Sequence, residues 1–265
     1  MNFFAHIAYN GTNYHGWQRQ VNGITVREVF ETNLARVLKE PVECIGCGRT
    51  DARVHANQFF FHFTVKKAWD FDLMFRLNKM MPRDISVFEF IPVEDKQHAR
   101  FDAISRTYDY FIHTYKDPFL NERSSLYPEP NLNLGEMNRA VKLLSTHSEY
   151  YSFCLSPNKQ PGTTCLISSA TLFSDNSGDR IRFQITSNRF LRGMVRTIVG
   201  KLLEIGTGKA SVDEFENLLM HKIPLDTTKP AYPQGLYLTK VTYPYLDLPP
   251  RADFVDAKYN EWVEV

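Results

Sequence analysis

The chain has 265 residues, of which 43% are hydrophobic and 14% aromatic, with a formal net charge of +1. That length suits one large domain or two ordinary ones, and that apolar content excludes a disordered chain. No apolar run approaches the ~20 residues of a membrane-spanning helix, and the N-terminus "MNFFAHIAYNG" has no basic region followed by an apolar stretch, so a cytoplasmic protein with no membrane partner is expected.

The elements read in chain order as follows. "FFAHIAY", Phe3 to Tyr9, is a strand. A helix starts near Val26, with Thr25 as N-cap, Glu28 three residues later in capping-box position, and Val26, Val29, Phe30, Leu34, Val37 and Leu38 at helical spacing. Pro41 ends it. "VECIGC" is a short strand and "ANQFFFHFTV", Ala56 to Val65, a second. "FDLMFRLNKMM" is a helix stopped by Pro82, and "ISVFEFIPV", Ile85 to Val93, is a strand.

The second half repeats the order. "RTYDYFIHTY" is a strand from Arg106, and "LGEMNRAVKLLS" a helix near Gly135. "CLISSATLFS" and "RIRFQITSN" are strands joined by a turn at Asn176 to Asp179. "RFLRGMVRTIVGKLLEIGTG" is one long helix ending at Gly206 or Gly208, a short helix covers Ser211 to Met220, and "GLYLTKVTY" is the closing strand. Each half is thus βαββαβ. The fold class is α+β: two ferredoxin-like domains with antiparallel sheets flanking a central cleft. The domains are expected at 1–105, carrying the "GRTDARVHA" loop, and 106–246, carrying the basic helix, followed by a tail at 247–265. Two long proline-bearing loops, Pro118 to Leu134 and Leu155 to Thr164, fall in the second half and are read as functional.

Charge is uneven. Between Arg180 and Lys209 stand Arg180, Arg182, Arg189, Arg192, Arg196, Lys201 and Lys209 against a single acid, Glu204, while Asp253, Asp256, Glu261 and Glu264 stand in the tail against Lys258. A neutral average therefore hides a basic face suited to nucleic acid. Arg189, Arg192 and Arg196 follow at spacings of three and four, which puts them on one helical stripe, read as solvated surface, phosphate-binding or paired with a carboxylate.

Cys44 and Cys47 form one C-x-x-C, but Cys154 and Cys165 are too far apart to complete a good zinc site. Alternating burial in a strand accounts for "VECIGC" more simply. Phosphate-loop, dinucleotide, H-E-x-x-H, calcium-loop and nucleophile-elbow motifs are absent from the sequence, so neither a metal nor a cofactor is expected.

Asp51 in "GRTDARVHA" braces a turn, or it is a catalytic carboxylate held ionised by a cation. Arg49, two residues away, shares its face on an extended backbone. Tyr108 and Tyr110 share one side of their strand, either as core or as a stacking platform for a flipped base. Tyr9, Tyr14 and Trp17 in "YNGTNYHGWQRQ" stack on nucleotides or cover a loop, the second being the better reading for Trp17.

Six stretches together carry a resemblance. "GRTDARVHA", "YNGTNYHGWQRQ", "NKMMPRDISV", "HARFDAISRTYDYFI", "NRFLRGMVRTIVGKLLEIG" and "GLYLTKVTY" resemble, in order and over nearly the whole chain, the motifs of the bacterial tRNA pseudouridine synthase A family. The resemblance implies a homodimeric isomerase that converts uridine to pseudouridine at positions 38, 39 and 40 of the tRNA anticodon stem-loop, from a basic cleft between its domains. It gives Asp51 the catalytic role of nucleophile or base, Tyr108 the packing against the target base, and Arg196 the pairing with the aspartate. Arg49 would replace the flipped base, and Leu236 would line the pocket. His55 and Arg53 join Tyr108, Arg49 and Leu236 as candidate substrate-binding residues. Arg53 departs from the family signature, which has glycine there, and Asn10 stands where the family has aspartate. Arg53 keeps open a synthase of the same family with another RNA target. A non-catalytic RNA-binding protein is the other class, though an acid amid basic residues fits it poorly.

Overall fold

The computed structural model describes residues 1–129, 131–224, 229–252 and 262–265. The chain is mixed α and β, and it divides into two compact units. Unit 1 is Met1–Ile104 with Tyr237–Phe254, and unit 2 is Ser105–Leu236 with Val255–Val265.

Unit 1 begins with β1 (Asn2–Tyr9), α1 (Val26–Leu38), β2 (Ile45–Gly46), β3 (His55–Thr64), α2 (Leu73–Met80) and β4 (Ile85–Val93). Strand β1 lies between β3 and β4, antiparallel to both, and β2 pairs antiparallel with β3, so the order is β4–β1–β3–β2. Strand β3 shows why its sequence reads as a continuous apolar run. Side chains alternate faces along a strand. Phe59 and Phe61 face α1, where Trp17 lies 4.4 Å from Phe59 and Phe30 4.9 Å from Phe61, ring to ring. Phe60 points the other way, against Tyr243 at 5.5 Å and His6 at 4.8 Å. Both faces are covered, as in strands without a polar side.

The second cover comes from the end of the chain. The strand expected to close the second half, "GLYLTKVTY", falls from Tyr237 onward in the segment Tyr237–Phe254, which packs with unit 1. A buried amide in β3 recruits it. The Gln58 side chain accepts from Val241 N–H at 2.9 Å and donates to the Leu248 carbonyl at 2.9 Å, and the Tyr243 hydroxyl donates to the Ala99 carbonyl at 2.7 Å. A polar group inside an aromatic core needs such partners, and they come from almost two hundred residues away. Helix α1 starts as its cap dictates, with Thr25 accepting from Glu28 N–H. "VECIGC" contributes only the two residues of β2, with Cys44 and Cys47 buried. Burial pushes the Cys44 thiol pKa well up, so it behaves as a small apolar group.

Unit 2 contains β5 (Ser105–His113), β6 (Ser125–Leu126), α3 (Leu134–Leu143), β7 (Ile167–Ser174), β8 (Arg180–Ser187), α4 (Met194–Gly206) and α5 (Val212–Met220). Strand β9 (Leu236–Thr242) crosses back into unit 1, where it meets the start of β3 in parallel. The last strand, β10 (Val263–Glu264), returns to unit 2 and pairs with β7. The unit's sheet runs β10–β7–β8–β5 with β6 on the far edge of β5, and α3 and α4 are packed together.

Two sequence expectations are corrected here. The long helix does not begin at Arg189. It begins at Met194, because Gly193 has φ +72° and a helix cannot run through it. Arg189 and Arg192 therefore precede the helix, and they form no helical stripe with Arg196. The basic run is also less free than its count: Arg182 pairs with Asp109 at 2.7 Å, Lys201 with Glu204 at 2.6 Å, and Arg180 with Asp117 at 3.7 Å. Most of the acidic tail, Asp253 to Glu261, lies outside the described residues.

His62 makes stability pH-dependent. Burial, then the neighbouring His98, lowers its pKa from 6.5 to about 4, and its Nδ1 accepts from Ala99 N–H at 3.1 Å. The unfolded chain takes up a proton near pH 6.5 that the folded chain refuses until about pH 4, so stability is full above pH 6.5 and falls on acidification through that window. Thermal unfolding at pH 7 and pH 5 is expected to show a smaller loss of Tm in His62→Gln than in the wild type. An identical loss would remove His62 from the account.

Candidate functional site

The "GRTDARVHA" segment joins β2 to β3 and ends in a tight turn. Val54 N–H donates to the Asp51 carbonyl at 3.2 Å, closing Asp51–Val54. Asp51 is half-buried, and Arg49 and Arg53 on either side of it are exposed.

What holds this turn is a second loop. Strand β1 ends at Tyr9, opposite Ala56 of β3, so the residues after Tyr9 run beside the start of β3. Gly11 N–H donates to His55 Nδ1 at 3.0 Å, the Tyr9 and Thr50 hydroxyls bond at 2.9 Å, and Arg53 N–H donates to the Tyr14 carbonyl at 3.0 Å. Trp17 N–H reaches the Thr50 carbonyl at 3.4 Å. The two backbones touch. A Cβ on Gly11 would stand 2.0 Å from the Val54 carbonyl oxygen, and one on Gly16, where φ is +79°, 2.1 Å from that of Thr50. The opening "YNGTNYHGW" is therefore the mould of the Asp51 turn.

This placement settles several side chains. Tyr9, Tyr14 and Trp17 are buried, and their hydrogen bonds and ring contacts hold the loop in place. The Tyr14 hydroxyl donates to Asp84 Oδ1 at 2.6 Å, and burial together with that carboxylate pushes its pKa up. His55 is 2% exposed and stacks on Tyr237 at 4.5 Å. Because its Nδ1 accepts the Gly11 amide, a neutral His55 carries its proton on Nε2. It stands buried beneath the turn as a strut that joins the two loops.

Unit 2 holds the remaining candidates. Tyr108 lies on β5, buried, with its ring edge-on to Phe190 at 4.9 Å and 81°. Tyr110 shares its face and is fully buried, its hydroxyl donating to the Tyr232 carbonyl at 2.6 Å and hydrogen-bonded with Ser125 Oγ at 2.9 Å. The opposite face of β5 carries Asp109, which takes Arg182 Nε at 2.7 Å and Gln184 Nε2 at 3.0 Å. Arg196 lies in the first turn of α4. Its Nε donates to the Ala231 carbonyl at 2.7 Å, and Ala231 N–H returns a bond to the Arg196 carbonyl at 2.9 Å. The long chain after α5 is thereby tied to the start of α4. Leu236 is buried at the start of β9.

Sequence reading missed the groups around Arg196. Tyr127 and Tyr232 stack at 5.3 Å, and Tyr127 OH accepts from Tyr232 N–H at 3.0 Å. Nothing in their sequence context marks them, since they come from two separate loops. Among the described residues no three or more His, Cys, Asp or Glu side chains gather as for a metal ion, and no helix is long and apolar enough to cross a membrane.

Comparison with known proteins identifies relatives. A family model described as tRNA pseudouridine synthase matches residues 140–244. The protein named tRNA pseudouridine synthase A from Azobacteroides pseudotrichonymphae is 42% identical over 245 residues, covering 91% of this chain and 96% of the relative. Those of the same name from Parabacteroides distasonis and Exiguobacterium sibiricum are 41% and 34% identical, each covering 91% of this chain and 96% of the relative.

The contact between the two loops gives a paired prediction. Gly16 and Gly178 both have positive φ, but a Cβ on Gly178 meets nothing within 4 Å. Gly178→Ala is expected to cost about 1–2 kcal/mol from the left-handed backbone alone. Gly16→Ala adds a backbone clash and is expected to cost about 2–4 kcal/mol. Urea unfolding of both variants checks this, and equal losses would show that the loops have room to separate.

Proposed function

The chain belongs to the tRNA pseudouridine synthase A family, and on that premise we propose that it converts uridines at positions 38, 39 and 40 of the tRNA anticodon stem-loop, with Asp51 as the catalytic nucleophile or base. That it is an isomerase acting on tRNA follows from the family itself. The observation that carries the rest is the turn: Asp51 is held by backbone bonds between two exposed guanidinium groups, Arg49 and Arg53.

The reaction breaks the C1′–N1 bond, turns the uracil, and forms a C1′–C5 bond. A proton leaves C5 and one is gained at N1. Atoms and electrons balance without oxidant, reductant or added water, so one carboxylate suffices. Asp51 acts on the sugar, on the base ring, or on a ribose proton, and each route needs it ionised and fixed in place. A turn clamped on both sides provides that fixed position without reorganisation at the moment of reaction.

The uridine must first leave its stack, at a cost of about a few kcal/mol. In this reading Arg49 takes its place in the stem, Tyr108 packs on the displaced ring, and Leu236 lines the pocket. Arg196 keeps Asp51 charged, since a cation beside a carboxylate favours its ionised form. The β4–β1–β3–β2 order of unit 1 supports a ferredoxin-like arrangement there. A cytoplasmic homodimer is part of the same reading.

The test uses purified protein and an unmodified tRNA transcript, with pseudouridine mapped by chemical labelling and primer extension. Wild type is expected to modify the anticodon-stem uridines. Asp51→Ala is expected to form no product while binding tRNA within about tenfold of wild type, a difference of about 1.4 kcal/mol. Substantial turnover by Asp51→Ala would remove Asp51 from the chemistry, and product only at other positions would overturn the target assignment.

A further inference from the structure

Among the described residues, two that are not glycine have a positive φ: Lys39 at 59° and Arg53 at 65°. Lys39 has a local reason, because it ends α1 in the left-handed conformation common to helix C-termini. Arg53 ends no helix. It is the third residue of the Asp51–Val54 turn, and a positive φ at that place favours glycine or asparagine. An L side chain there crowds its Cβ against a carbonyl oxygen. Arginine also lacks the short amide that lets asparagine offset the strain. Nor can the backbone readily relax, since Arg53 N–H is committed to the Tyr14 carbonyl at 3.0 Å.

Nothing in the fold accounts for the side chain held at this strained point. Arg53 is exposed, and its guanidinium makes no hydrogen bond, ion pair or ring contact with the described residues. Backbone strain of this kind persists at sites of function. Glycine, which the related signature carries here, would remove both the strain and the cation. The strain is therefore tied to the guanidinium.

We infer that Arg53 is an RNA-binding residue that grips a phosphate flanking the target uridine. This rests on the reading that Asp51 meets that uridine. Arg53 is two residues from Asp51 in the same four-residue turn, so the phosphates flanking a nucleoside at Asp51 come within reach of its long side chain. An exposed guanidinium two residues from Asp51 adds a positive charge where those phosphates lie. A guanidinium also matches a phosphate through two parallel hydrogen bonds, independent of the neighbouring base. Arg53 thus contributes affinity for the backbone beside the target, not recognition of a sequence.

The inference predicts opposite effects of one substitution. Arg53→Gly relieves the turn and is expected to raise Tm by about 2–4 °C. The same variant is expected to bind unmodified tRNA about five- to tenfold more weakly, with a salt slope (log K against log salt) shallower by about 0.7–0.9. In pseudouridine assays the loss is expected in KM, with kcat changed far less. Arg53→Asn should lose affinity as Arg53→Gly does, and Arg53→Lys should keep most of the salt slope. Wild-type affinity and salt slope in Arg53→Gly would overturn the inference. So would a fall in kcat with the slope unchanged, which would make Arg53 a residue that positions the loop. A wild type that binds tRNA with the Arg53-dependent slope but forms no pseudouridine would sink the reaction assigned above and leave Arg53 as an RNA contact.

Discussion

The structure of unit 1 turns on a contact between two backbones. The loop after β1 and the turn before β3 approach until no Cβ fits at Gly11 or Gly16, and four hydrogen bonds close the seam. Everything at Asp51 follows from this. Strand β1 must be central, so that its end lies beside the start of β3. Trp17 is buried against Phe59 and Phe61 of β3, and its amide is used on the Thr50 carbonyl. His55 must be a strut, because its Nδ1 is the acceptor for the Gly11 amide. A carboxylate carried by such a turn has its position set by packing rather than by a flexible loop, as a group acting on a displaced base requires.

Much of this fold was legible in the sequence. Strand β4 has the expected bounds, and α5 lies within the expected stretch, starting at Val212 after Ser211 as N-cap with both halves of its capping box formed. Such signals are local, and local chemistry decides them. The failures are of another kind. The start of α4 was misplaced because apolar periodicity continues through Gly193 while the backbone does not. The packing of Tyr237–Phe254 with unit 1 was missed because the groups that hold it there, Gln58, Phe60 and Ala99, are remote from it in sequence. Strands β6 and β10 are two residues each, too short for any period to show.

The candidate site divides in the same way. Residue chemistry left Asp51 as either the acid that braces a turn or a catalytic carboxylate, and its assigned role came from resemblance to a family. Tyr9, Tyr14 and His55 looked equally available for a ligand, yet each is tied in place by a side-chain hydrogen bond, to Thr50, Asp84 and Gly11. Charge counting overstated the free basic surface, because Asp109 and Asp117, which neutralise Arg182 and Arg180, stand on or near another strand. Arg53 was visible as an oddity in a motif, but only its backbone angle shows that the turn carries it under strain.

The central claim, that the Asp51 turn is part of the rigid core of unit 1 and not a mobile loop, is most directly tested by native-state hydrogen exchange resolved to single amides. The account predicts that Gly11, Arg53 and Val54 N–H exchange only with opening of the β1–β3 pair, with the same free energy and denaturant dependence as Ala5 or Phe61. Exchange of these three amides by local opening, while β1 and β3 stay protected, would contradict it.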